Sequence, residues 1–282
     1  MPVAYLTGGA SGLGKATAEM LVKNGIKVFI ADQNGSGAEA VCADINKSSG
    51  SEMASSAQLD VRDWNQQAKV FGQAVAKYER IDYVYSIAGI NERRWIDNNP
   101  SVTSGFQVPD LSVFDVDVTG LMYTVALAVQ QMRRQDKDEN GFRGKVACVA
   151  SVCGFYCCPT VPIYTAAKHA VVGFVRSYGK WLPEEGITFN AVCPNVVRTN
   201  ISTPAFYDKL EAENLLTPLE SVPDAFEALL GKNTASGECY ETGPNYKTQG
   251  IIQTRAAPYL DDESATVFER LYERGKPLHL PK

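Results

Sequence analysis

The sequence predicts an α/β fold: a doubly wound parallel sheet of seven strands with helices on both faces. Three observations lead there. Short β-branched runs alternate with longer helical patterns. The runs are too apolar to leave one side to water. A glycine-rich turn joins the first run to the first helical pattern. Strands apolar on both sides must be covered on both sides, and parallel strands need a crossover that a helix supplies.

The elements follow in order. Strands are predicted at Val3–Thr7, Lys27–Ala31, Ala54–Leu59, Tyr83–Ile87, Lys145–Ser151, Thr188–Cys193 and Gly237–Glu241. Helices are predicted at Gly12–Asn24, Ser36–Ile45, Asn65–Tyr78, Leu111–Gln135, Pro162–Leu182 and around Pro223–Leu230. Right-handed crossovers place the helices on alternate faces. Arg133–Glu139 is a charge run, read as the solvated end of a long helix before the Asn140-Gly141 turn. Residues 199–220 carry Phe206, Tyr207, Leu210, Leu215 and Leu216 among polar residues and read as a lid over a substrate. Residues 243–282 outrun the sheet and read as an extension packed over the domain or a partner subunit. The chain 1–282, with 45% hydrophobic residues, is read as one domain.

A formal charge of -5 argues against a phosphate backbone as the main partner, so nucleic acid is not expected. The seven cysteines, Cys42, Cys148, Cys153, Cys157, Cys158, Cys193 and Cys239, are odd in number and irregularly spaced. With His169 and His279 the only histidines, no metal site is expected, and the thiols read as buried and free in a reducing, cytoplasmic compartment. The first strand begins at Pro2 or Val3, so no signal peptide is expected. No apolar run of the roughly 20 residues that span a bilayer is expected either.

Thr7-Gly8-Gly9-Ala10-Ser11-Gly12-Leu13-Gly14 links the first strand to the first helix. Gly8, Gly12 and Gly14 permit a tight turn, close approach of a pyrophosphate and close helix–strand packing, while the helix N-terminus offers free N–H groups to phosphate. This is the fingerprint of a Rossmann-type sheet. Eighteen residues on, Asp32 ends the second strand, where a carboxylate can accept from adenosine ribose hydroxyls and repel a 2′-phosphate. Ser11 adds no positive charge, and no Arg or Lys immediately follows Asp32. NAD is therefore expected rather than NADP. Asp60-Val61 follows the third strand and can meet the adenine edge, or serve only as a turn or helix cap.

Tyr164 and Lys168 stand four apart in a predicted helix, one turn from each other on one face. A neighbouring ammonium favours phenolate and lets a tyrosine exchange protons with an alcohol. Ser151 ends a predicted strand and so faces the carboxyl edge of the sheet, where such folds bind ligands.

The glycine turn, Asp32, Asp60, Ser151, Tyr164 and Lys168 together resemble the short-chain dehydrogenase/reductase family over about 240 residues. The resemblance implies that Tyr164 is the acid/base and that Ser151 binds the substrate oxygen. It implies that Lys168 tunes the tyrosine and holds the nicotinamide ribose, with Asp117 as fourth member of the catalytic set where the family has Asn. There that residue bends its helix and its backbone carbonyl leads through a water to the lysine. The family's Asn-Asn-Ala-Gly reads Ser86-Ile87-Ala88-Gly89, with Ala88 and Gly89 kept as cofactor contacts. Its Pro-Gly reads Pro194-Asn195; Asn tolerates a left-handed turn, and its amide can face substrate. Val197 and Thr199 fall where the family contacts the carboxamide.

Residues 88–95, Pro162 to Ser177 and Phe189 to Ile201 look most similar to the 15-hydroxyprostaglandin dehydrogenase branch, which implies oxidation of secondary alcohols on apolar molecules with NAD. That branch's substrate-orienting glutamine is Val161 here, so a different lipophilic alcohol is expected, such as a terpenoid or polyketide-like metabolite. Trp95, Cys153, Phe155, Val161 and Asn195 are candidate pocket residues, with core packing their other reading. Arg93 and Arg94 can greet an anion or sit in a solvated loop. His169 points away from the pair and Cys193 reads as a buried strand residue. The resemblance further implies a homodimer or homotetramer; from the lack of a long apolar run no membrane partner is expected. Two other readings stay open on the residues: an NAD(H)-binding sensor or scaffold, and an isomerase or cyclase.

Overall fold

The glycine-rich turn ends β1 (Val3–Thr7) and opens α1 (Gly12–Lys23). From there the chain alternates through β2 (Lys27–Asp32), α2 (Gly35–Ser49), β3 (Ala54–Gln58), α3 (Trp64–Tyr78) and β4 (Tyr83–Ser86). A short α4 (Ser112–Phe114), a π-helical turn (Asp115–Gly120) and α5 (Leu121–Met132) form one continuous rod. Then come β5 (Gly144–Val149), α6 (Pro162–Trp181), β6 (Ile187–Pro194), α7 (Pro204–Ala212), α8 (Ser221–Glu227) and β7 (Cys239–Thr242). The computed structural model describes residues 1–96 and 105–278; His279 and the last residues of the extension lie outside them.

The strands form one sheet in the order β3-β2-β1-β4-β5-β6-β7, with one further strand beyond β7. β1 to β7 pair in parallel. The sheet has eight strands rather than the expected seven, because the extension returns through α9 (Tyr246–Gln249) and adds β8 (Ile252–Gln253) antiparallel to the edge. A late strand joined by a short connection can only pair antiparallel.

Alternation along each strand divides the core. Val3 and Tyr5 of β1 face one side with Phe71 of α3, Val125 of α5 and Val171 of α6. Ala4 and Leu6 face the other with Leu21 of α1, Val41 of α2 and Phe226 of α8. All five residues of β1 and all eight of β6 are buried, as strands covered on both faces require.

Three boundaries differ from expectation for identifiable reasons. α2 runs from Gly35 because Asn34 caps it through Gly37 N–H, and it continues to Ser49, where Gly50 closes it at φ 64°. The helix expected over Leu111–Gln135 ends at Met132, so the charge run beyond is loop. There Gln135 turns inward: its amide nitrogen donates to the carbonyls of Ile81 (3.1 Å) and Arg143 (2.8 Å), and its oxygen accepts from Ile81 N–H (2.9 Å). Contrary to the expectation of no membrane-length apolar run, the rod Ser112–Met132 is apolar and long enough to span a bilayer, but half of its apolar window is buried inside this fold.

The segment 199–220 holds α7 and is closed at its base by a parallel bridge between Val197 and Thr217. The extension ends in α10 (Asp262–Gly275), whose Tyr272 ring lies tilted at 56° to that of Trp181, 6.1 Å between centroids, and whose Tyr272 hydroxyl donates to Glu184 at 3.0 Å. The thiols are free, as expected, but not all are buried: Cys157 is exposed, with Cys153 and Cys158 intermediate.

Candidate active site

Strand order reverses between β1 and β4, and the loops at their carboxyl ends part there, leaving a crevice in the manner of doubly wound sheets. A groove of about 780 Å³ opens at this edge, lined by Gly8, Ser11, Gly12, Leu13, Gly14, Asp32, Asp60, Val61, Ala88, Gly89 and Thr199 among others. Its glycines are sterically required. A Cβ on Gly14 would fall 2.0 Å from the Gly8 carbonyl oxygen, and one on Gly8, already at φ 79°, would fall 2.6 Å from Ala88 N. Gly12 leaves room against Thr199, 3.2 Å from where its Cβ would stand. Ser11 places no side-chain acceptor on the first turn of α1, so those N–H groups stay available to an anion. A pyrophosphate fits this cradle.

Asp32 stiffens the crevice. One carboxylate oxygen accepts from Ala10 N–H at 2.9 Å and the other from Asn34 N–H at 2.8 Å. Asp60 pairs two-pronged with Arg62, whose Nη2 lies 2.6 Å from Oδ2, and the guanidinium holds the carboxyl below its usual range. Arg62 also lines the groove. Sequence reasoning missed it, although its position two residues beyond Asp60 makes the contact a local one.

The chemistry-bearing cluster lies beside this groove. Ser151 follows β5 and caps a 3₁₀ turn (Val152–Gly154), its hydroxyl accepting from Cys153 N–H at 3.1 Å. Gly154 lets that turn press on α6, since a Cβ there would lie 2.9 Å from Lys168 O. Tyr164 and Lys168 share a face of α6, with Lys168 Nζ 5.2 Å from the tyrosine ring centre. Nζ also lies 2.9 Å from Asp117 Oδ2 and donates to Val149 O at 3.5 Å. Asp117 sits in the π-helical turn, where the resemblance implied a bend, and its other oxygen accepts from Ile90 N–H at 2.8 Å.

The electrostatics depart from the simple Tyr–Lys picture. Burial pushes the Tyr164 phenol up; Lys168 pulls it down, Asp117 pushes it up again and Ser151 lowers it, and the sum is raised. Burial depresses Lys168, but the charge of Asp117 and the neighbouring Tyr164 outweigh it and hold the ammonium firmly protonated. Burial also raises the Cys153 thiol, which makes it a poor nucleophile near neutral pH.

Three contacts join groove and cluster. Gly89 leaves only 3.3 Å between its would-be Cβ and Asp117 Oδ2, Ile90 N–H binds Asp117, and Glu92 accepts from Tyr164 N–H at 2.8 Å. Gly89, Ile90 and Glu92 all line the groove. Glu92 carried no separate signal in the sequence, because its partner lies 72 positions away.

Other expected residues are placed differently. Val197 is buried in its bridge with Thr217, and Pro194 is buried as the last residue of β6, paired with Thr242; neither lines the groove. Asn195 is not left-handed, and its side-chain oxygen accepts from Val196 N–H at 2.8 Å. Trp95 lines a separate cavity of about 490 Å³ with Glu92, Arg93, Arg94 and Pro159. Val161 is half-buried at the start of α6. His169 is exposed and bonds through Nδ1 to Thr165 O.

The short chain dehydrogenase family matches residues 2–209. A short-chain dehydrogenase/reductase of Penicillium rubens is 32% identical over 181 residues, 60% of this chain and 64% of that protein. The 15-hydroxyprostaglandin dehydrogenase [NAD(+)] of Rattus norvegicus is 30% identical over 71% of this chain and 69% of that protein. Matches to two further Penicillium relatives span only 55% of their length. Among solved structures, a short-chain type dehydrogenase/reductase from Mycobacterium marinum shares the fold at a TM-score of 0.75 and 22% identity, over 88% of this chain and 96% of that one.

Proposed function

The chain belongs to the short chain dehydrogenase family, and from that premise we propose that it is an NAD-dependent oxidoreductase converting a secondary alcohol to a ketone on a lipophilic small molecule. The family gives the coarser statement: an oxidoreductase fold with a nicotinamide crevice, acting on CH–OH or carbonyl groups. The single observation that carries the finer reading is the gathering of Ser151, Tyr164 and Lys168 at the edge of the glycine-lined groove. A protein that only bound the coenzyme would need none of the three.

The chain's own residues divide the work. Tyr164, as phenolate, takes the proton of the substrate hydroxyl. Ser151 donates to the oxygen as its charge changes. Lys168 keeps a positive charge beneath the phenol. A coenzyme seated in the groove supplies the hydride acceptor. Asp32 supports NAD over NADP, since its carboxylate lines the adenosine end and would oppose a 2′-phosphate. The usual excess of oxidised NAD in cells favours the oxidative direction. The absence of the orienting glutamine at Val161 supports a substrate other than a prostaglandin, such as a terpenoid or polyketide-like metabolite. A cytoplasmic homodimer or homotetramer completes the proposal.

The test is NADH formation across a panel of lipophilic secondary alcohols, with NAD⁺ against NADP⁺ and wild type against Tyr164→Phe. The expected result is NAD⁺-dependent turnover that vanishes in the variant. Coenzyme binding without reaction of any alcohol, or of the matching ketones with NADH, would sink the dehydrogenase reading.

A further inference from the structure

Asp117 and Lys168 are 1% and 4% exposed, and their charges meet at 2.9 Å inside the protein. The carboxylate meets two groups at once: Oδ1 accepts from Ile90 N–H, and Oδ2 lies against the Lys168 ammonium as an ion pair. A neutral amide at this position has one acceptor oxygen. Whichever donor it satisfied, its NH₂ would face the other. A carboxylate suits both, the hydrogen bond of Ile90 and the charge of Lys168.

We propose that Asp117 is a charge-setting, positioning residue: it takes up the field of the Lys168 ammonium and thereby holds ionisation of Tyr164 at a higher pH than a neutral residue at 117 would allow.

The surroundings leave the balance to few groups. From its own helix Tyr164 meets Lys168, and from the π-helical turn Asp117. The turn after β5 presents the Ser151 hydroxyl and the Cys153 thiol, the latter raised by burial. β5 turns Cys148 toward Lys168, and burial holds that thiol neutral. The loop after β4 presents Glu92, which engages the backbone of Tyr164. The one cation in this set is Lys168, and Asp117 is the carboxylate in direct contact with it. A like charge near a phenol disfavours phenolate, and a compensated ammonium favours it less than a free one; both effects of Asp117 have the same sign. The phenol therefore stays proton-loaded longer as pH rises, and the phenolate that alcohol oxidation uses forms at higher pH.

This inference rests on reading Tyr164 as the acid/base, but its test needs neither substrate nor coenzyme, so a failed alcohol assay leaves the result intact. Protein carrying tyrosine labelled with ¹³C at Cζ is titrated through the alkaline range. The Tyr164 resonance is identified by its loss in Tyr164→Phe, and the fold is checked by circular dichroism at each pH. The expected result for Asp117→Asn is a Tyr164 midpoint lower by about one unit or more, at least tenfold in the ionisation constant. Asp117→Ser, whose hydroxyl can turn a lone pair toward Lys168, provides a second neutral variant should the amide disturb folding. Asp117→Glu is expected to titrate with the wild type. A wild-type resonance that does not move before unfolding, beside one that titrates in a neutral variant, supports the proposal equally. A neutral variant whose midpoint equals or exceeds that of wild type overturns it, as does an Asp117→Glu protein that shifts downward like the neutral ones.

Discussion

The carboxylate of Glu92 accepts a hydrogen bond from the backbone N–H of Tyr164 at 2.8 Å. α6 has no side-chain cap of its own, since Val161 stands at its N-cap. Glu92, reaching from the loop after β4, fills that role and ties the groove to the first turn of α6, which carries Tyr164 and Lys168. Removing the acceptor costs about 1 kcal/mol, as lost helix caps do. The larger effect is on placement of Tyr164, because small displacements of reacting groups are costly to rate. Glu92→Ala is expected to lower kcat/KM about tenfold or more, with Glu92→Gln restoring most of it, since Gln still accepts. Steady-state kinetics on the two variants decide it; equal losses in both would mean that the charge, not the hydrogen bond, is what counts.

Gly14 presents a harder steric limit. A Cβ there would lie 2.0 Å from the Gly8 carbonyl oxygen and 2.9 Å from Gly9 Cα, both backbone atoms that no rotamer change can move. Gly14→Ala must push α1 away from the end of β1. A loss on the order of 2–3 kcal/mol follows from such overpacking, or roughly 3–5 °C in Tm for a chain of this size, with weaker NADH binding. Differential scanning fluorimetry with and without NADH measures both. An unchanged Tm would show that the turn is looser than these distances imply.

The contrast between these two positions shows what the chain makes legible. Gly14 is readable because its reason is local: strand, turn and helix lie within one short stretch, and periodicity marks all three. The same holds for the seven parallel strands and for Tyr164 and Lys168, one helical turn apart. The contacts of Glu92 and Gln135 were not readable, because each depends on a partner more than 50 positions away that only the assembled sheet brings near. Asp117 lies between these cases. Its departure from the family's neutral residue was visible, but the paired contact with Lys168 and Ile90 was not. β8 and α10 escaped notice because their burial is slight: both residues of β8 are exposed and α10 buries none. Hydrophobic pattern carries little information where little is buried.

Gln67 shows how a silent polar residue holds the site. It is fully buried, its amide nitrogen donating to Val61 O at 2.6 Å and Gly120 O at 2.8 Å while its oxygen accepts from Thr124 at 2.9 Å. It thus binds the loop after β3 to the π-helical turn that carries Asp117. Gln67→Leu keeps much of the volume but strips these carbonyls of a donor, a loss of about 2–3 kcal/mol. Gln67→Glu should lose more, because a carboxylate would face two carbonyl oxygens. Urea denaturation of both variants tests the order; a Glu variant as stable as wild type would refute the assignment of donors.

The pH dependence of stability has an identifiable contributor in Glu185. Arg133 grips it with Nε at 2.5 Å and Nη2 at 2.7 Å, and Trp181 Nε1 donates to it at 3.0 Å. The Arg133 contact is the main cause that holds this carboxyl below its ordinary 4.5. A carboxyl depressed in the folded state adds stability above its unfolded value, and that stability is lost as pH falls through the folded value. The contribution is therefore complete at pH near 7 and declines below about 4.5. Arg133 is partly exposed, so salt screens the pair and the effect is modest. Glu185→Gln should melt below wild type at neutral pH, with the gap narrowing as the buffer is taken through the acid range and with added salt. Thermal melts of the two proteins across pH measure that gap directly. A gap that stayed constant with pH would mean that packing of the side chain against Trp181, rather than its charge, stabilises this corner.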